Sequence, residues 1–184
     1  MLLKISVCIY SILLLGTHTF NAFAQSAADS LSWDENRKLT WDDFQGKPEE
    51  KTIFGARTYT DIKYKLYDSG TGCRIVVRCL FLKKISWKAD QNITPYSLQH
   101  EQLHFDLSEL YARKLRKAFK EYKYSKDSVS YNVAAIYKKI CAEKTEFNNQ
   151  YDKETFHQVD RTRQLIWNNK IYYMLEELKE YASN

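Results

Sequence analysis

Proline and glycine are scarce in this 184-residue chain, at 2 and 5 residues. That excludes collagen-like repeats and Pro-rich linkers. The four cysteines include no CxxC pair, which removes the usual basis for a thiolate zinc site. Long apolar runs are missing after residue 15, and the mean hydropathy of −0.56 excludes a polytopic membrane protein. Charge of one sign does not dominate: the net +5 is scattered among 23 acids, which gives no nucleic-acid surface. What is present is a 44% hydrophobic, 15% aromatic chain, enough to build a core and to exclude wholesale disorder. The length suits one domain.

The first residues read as a signal peptide rather than as part of that domain. Lys4 gives a positive start, Ile5 to Leu15 an apolar run, and Ala22-Phe23-Ala24 a small-x-small cleavage pattern. Cleavage after Ala24 leaves residues 25–184 as a single domain in the periplasm or secreted. The run is too short to span a bilayer, which needs about 20 residues, so no stable membrane span is expected after cleavage. Export permits disulfides among Cys73, Cys79 and Cys141. The segment from Cys73 to Cys79 reads as a strand whose ends are about 20 Å apart, so those two do not pair. Either is available to Cys141.

The remainder divides into a strand half and a helix half. Arg57 to Tyr67 alternates in part, Asp68-Ser69-Gly70-Thr71-Gly72 is a turn, and Cys73 to Leu82 is β-branched, which together predict a hairpin. Ile85-Ser86-Trp87 reads as a short edge strand, open to an extended peptide by β-addition. Thr94-Pro95 opens a helix that runs to about Tyr122. Asp127-Ser128 caps a second. Asn148-Asn149-Gln150 reads as a break, and Asp152 as the cap of a third helix ending near Tyr181. Strands followed by three long helices predict an α+β fold with an N-terminal antiparallel sheet.

The chemistry lies in histidine. His100-Glu101-Gln102-Leu103-His104 is an HExxH pattern on the first long helix. A spacing of four turns both imidazoles to one face, where they can share one metal ion, with zinc the best match to neutral imidazole. Glu101 lies about 100° round, placed to act on water as the catalytic base rather than to ligate. A third ligand is needed. Leu107 and Leu110 occupy the positions where one common extension of the motif carries Gly and His, and no downstream Glu-x-x-x-Asp occurs. His157 is the remaining histidine of the mature chain and the first choice. Glu154 or Asp152 is an alternative ligand, or a partner that orients the ring of His157. Tyr111, about 20° round from His100, and Arg161 are candidate oxyanion donors.

Four blocks carry a resemblance: residues 39–48 (LTWDDFQGKP), Ser86-Trp87, the run from His100 to Leu115, and Tyr151-Asp152-x-Glu154-Thr155-x-His157 with Gln164 and Trp167. Together they resemble the DUF922 family, described as secreted zinc-dependent proteases, over about residues 39–171. The resemblance implies a zincin-like fold and a metallopeptidase, with His100, His104 and His157 as ligands of one Zn²⁺ per chain and Glu101 as general base. Many members have Gly after the last histidine, where this chain has Gln158. The expected function is hydrolysis of a peptide or protein substrate. The alternative is a catalytically inactive zinc-binding or helical interaction module of the cell envelope.

Overall fold

A computed structural model describes residues 29–50, 52–89, 93–157 and 159–183. The signal-peptide reading and Gln158 lie outside them. Three strands form the main sheet: β1 (Ser30–Ser32), β3 (Thr60–Asp68) and β4 (Cys73–Leu82), in the order β1-β4-β3 and all antiparallel. The β3–β4 hairpin forms as its turn chemistry predicts. Asp68 Oδ1 accepts from Gly70 N–H at 2.8 Å, and Gly70 sits at φ 78, where a residue without Cβ is favoured. Ile62 opposes Cys79 in the register, and Ile62, Val77, Cys79 and Phe81 are buried. β1 has no counterpart in the sequence reading, because three residues are too few to show a period.

The expected short edge strand forms at Trp87–Lys88, at the edge of a two-stranded ribbon. β5 (Trp87–Lys88) pairs with β2 (Ala56–Arg57) in a separate ribbon, and Ser86 Oγ accepts from Tyr59 N–H at 2.9 Å. Gly46 closes on this corner, its N–H donating to Ser86 O at 2.8 Å. A Cβ there would sit 2.9 Å from Ile85 and Ser86 backbone atoms, so only glycine fits.

Three helices follow. α1 (Pro95–Glu121) begins at a capping box, with Thr94 accepting from Ser97 N–H and Pro95 in the first turn. It is the central element: β3 and β4 pack on it, and so do α2 (Val129–Thr155) and α3 (Arg161–Glu177). Leu107, Leu110, Ala112 and Leu115 are accordingly shut off from solvent. Among the described residues no helix is long and apolar enough to cross a membrane. Cys73, Cys79 and Cys141 are all free thiols.

The break expected at Asn148-Asn149-Gln150 does not occur. α2 runs through it to Thr155, and Asp152 is an interior helical residue, not a cap. Asn148, of low helix propensity, is held there by His104 of α1, a tertiary partner that overrides local preference. The true break comes later, where Phe156 (φ 47) and His157 (φ 50) are both left-handed and Asp160 caps α3 through Arg163 N–H.

Glu109 is fully buried on α1 and takes hydrogen bonds from Arg113 Nε (3.1 Å) and Arg116 Nη1 (2.7 Å). These arginines also donate to Leu175 O, Tyr181 O and Val77 O, so one carboxylate ties the chain end to the sheet. Glu109→Ala strands two cations in the interior. A loss of about 3–5 kcal/mol is expected, read as a lower urea midpoint.

Candidate metal centre

His100 and His104, one turn apart on α1, face Asp152 on α2. His104 Nε2 lies 3.2 Å from His100 Nε2 and 3.1 Å from Asp152 Oδ1, and His100 Nε2 lies 3.5 Å from the same oxygen. The outer ring nitrogens are held by amide oxygens. His104 Nδ1 donates to Asn148 Oδ1 at 2.8 Å, and His100 Nδ1 to Gln164 Oε1 at 2.9 Å. The amide of Gln164 is fixed in that sense because its Nε2 donates to Asn168 Oδ1. Tyr151 donates its hydroxyl to Gln164 Oε1 and stacks on the His100 ring, with centroids 4.7 Å apart.

An amide oxygen only accepts, so Asn148 Oδ1 calls for a proton on His104 Nδ1 and Gln164 Oε1 for one on His100 Nδ1, which also lies 2.7 Å from the Tyr151 hydroxyl. With both Nδ1 atoms protonated, both Nε2 lone pairs are bare and point at each other and at a carboxylate. Three acceptors that close need a proton or a metal cation between them. Burial opposes charge on His104, but Asp152, Glu101 and Asn148 outweigh it and raise its pKa. Burial likewise opposes charge on Asp152, and the two imidazoles overcome it and hold its carboxyl well below the usual range. Two nitrogens and one carboxylate oxygen, each ring braced from behind, are a donor set that suits a divalent ion of the zinc type and leaves a coordination position open.

Glu101 is buried beside this group, and its Oε2 has no hydrogen-bond partner. A buried, unsatisfied carboxylate oxygen is costly, and here it lines the cleft that the histidines open into. The cleft encloses about 430 Å³, and Phe54, Arg57 and Tyr59 form its far wall.

The other sequence candidates fall at varying distance. His157 is on the rim, half exposed, its Nδ1 3.6 Å from Asp152 Oδ1 and its ring 4.9 Å from that of Phe54. Glu154 does not share a helical face with it, because α2 ends between them. Its oxygens accept from Gln150 and from Trp167 Nε1 instead. Tyr111 is buried against Phe147 with Lys114 above its ring, and burial pushes its hydroxyl up to about 12. It is close to His100 in angle but eleven residues on, about 16 Å along the helix axis. Arg161 lies over the ring of Tyr96 at 5.1 Å. Neither is among the residues that line the cleft.

Sequence reasoning assigned no role to Asn148 and gave Asp152 the wrong place on its helix. Their spacing of four was the available signal, since it puts both on one face once the helix is carried through. No curated protein and no solved structure matches the chain. The stretch that supplies His100, Glu101, His104, Asn148, Asp152 and His157, residues 83–158, matches the family model DUF922, described as a bacterial protein of unknown function.

Proposed function

We propose that this protein is an exported zinc-dependent hydrolase of peptide or amide bonds, with the metal held by His100, His104 and Asp152. The observation that carries the reading is the orphaned Glu101 carboxylate oxygen beside three converging acceptors. A divalent ion bound there would supply Lewis-acid polarisation of a carbonyl and lower the pKa of water. The residues do the rest. Glu101 accepts a proton from the attacking water and returns it to the leaving amine, a transfer its position at the cleft wall allows. Asn148 and Gln164 hold the two rings in the tautomer that leaves Nε2 free. His157 lines the same cleft at its rim, where its imidazole could donate to a bound substrate. The β2 segment borders the cleft and offers an extended chain a strand to lie along. Export rests on the Lys4, Ile5 to Leu15 and Ala22-Phe23-Ala24 pattern.

The test is metal analysis joined to an activity screen. Purified protein is expected to carry one zinc per chain, and zinc at a hundredfold excess over its Kd to stabilise it by about 2.7 kcal/mol. A peptide library is expected to be cleaved by the zinc form and spared after chelation. Protein that takes up no zinc ends the reading. Zinc uptake with no cleavage leaves a binding module.

A further inference from the structure

The solvent face of the β3–β4 hairpin is basic. Side chains alternate along each strand, so Lys63, Lys65 and Tyr67 of β3 stand on the same side as Arg74 and Arg78 of β4, and all five are exposed. The half-buried Val76 lies between the arginines. The register sets Lys63 opposite Arg78 and Tyr67 opposite Arg74. Lys65 Nζ and the Arg74 guanidinium lie 4.9 Å and 4.8 Å from the centre of the Tyr67 ring. Asp61, 3.8 Å from Lys63, is the one acid on this side of the two strands. Among the described residues, no acid forms an ion pair with Lys65, Arg74 or Arg78. Lys4 apart, the chain holds 27 Lys and Arg against 23 acids, a net +4. Four of those cations and one acid share this face, a net +3, so the rest of residues 25–184 is almost neutral. Like charges set directly opposite destabilise a strand pair, and an anion laid over the face relieves them.

We propose that this face docks on a bilayer surface that bears anionic lipid head groups. The cations stand on an open sheet face, about 7 Å apart along a strand and about 5 Å across the pair. An extended acidic chain would meet one row of them, whereas a plane of head groups meets both. Tyr67 suits the same boundary, where an apolar ring with a polar tip is favoured. The other side of the hairpin is buried against α1, and none of the five exposed residues lines the cleft of His100 and His104. Docking therefore leaves that cleft open, and it does not depend on metal.

Flotation with vesicles tests it, using phosphatidylcholine alone or with about 30% phosphatidylglycerol. At about 20 mM salt the wild-type protein is expected to float with the anionic vesicles and not the neutral ones, and at about 0.5 M salt to be released. Each cation removed is expected to weaken partition about fivefold, so Lys65→Gln/Arg74→Gln and Lys63→Gln/Arg78→Gln each lose about 25-fold. The second pair also relieves the like-charge contact, and its thermal midpoint is expected to hold or rise. Lys138→Gln/Lys139→Gln removes the same charge from exposed positions on α2 and is expected to change partition less than about twofold. Wild-type protein that floats with neither vesicle, or equally with both, overturns the proposal. If the unfloated protein is instead retained by polyglutamate, the face belongs to an acidic polymer. A Lys138/Lys139 pair that loses as much as the face variants overturns it too, because net charge and not this face is then the cause.

Discussion

Asp152→Ala is expected to lower zinc affinity by more than about 100-fold, as measured by competition with a chromophoric chelator. The carboxylate supplies the third of three acceptors, 3.1 Å and 3.5 Å from the two imidazole nitrogens, and it comes from a different helix. Without it two bare nitrogens remain on one turn of α1, which is a poor site. His157→Ala is expected to change affinity less than tenfold, because its half-exposed ring does not join the cluster of mutually close donor atoms formed by His100, His104 and Asp152. Asn148→Leu and Gln164→Leu fall between, at about 10–100-fold, since each frees a ring to rotate or change tautomer. An effect of His157→Ala as large as that of Asp152→Ala would move the third ligand to the rim and refute the assignment.

Glu101→Gln is expected to lower peptide hydrolysis by about 10²–10⁴-fold while zinc stays bound. The same substitution removes a buried negative oxygen that has no partner. Thermal stability is therefore expected to hold or rise, by up to about 1–3 kcal/mol. Lost activity with unchanged metal content and no loss of stability is the pattern of a group kept for chemistry at the expense of the fold. If the variant cleaves as fast as wild type, Glu101 is not the base. If it loses zinc as well, Glu101 belongs to the donor set, and the site needs redrawing.

The α3 helix shows why an exposed surface escapes sequence reading. Leu165 and Ile171 are both apolar residues at helical positions, yet one is exposed and the other buried. Composition around the helix is nearly even, so no stripe marks the inner side. Only the packing of Gln164, Trp167 and Ile171 onto the rest of the molecule shows which face is left over.

By itself the sequence determined the local features. The β3–β4 hairpin follows from a five-residue turn between alternating segments, and the start of α1 from Thr94-Pro95. The shared face of His100 and His104 follows from a spacing of four. Each depends on residues within a few positions of one another, where backbone geometry alone links sequence to space. The tertiary structure decided the rest. Whether α2 would break at Asn148 or continue turned on an imidazole 44 residues upstream that binds the asparagine side chain. Continuation carried Asp152 to the histidines, and the left-handed pair Phe156-His157 turned the chain at the rim. A third donor is chosen by which helices pack together, a property of the whole core that no local pattern encodes.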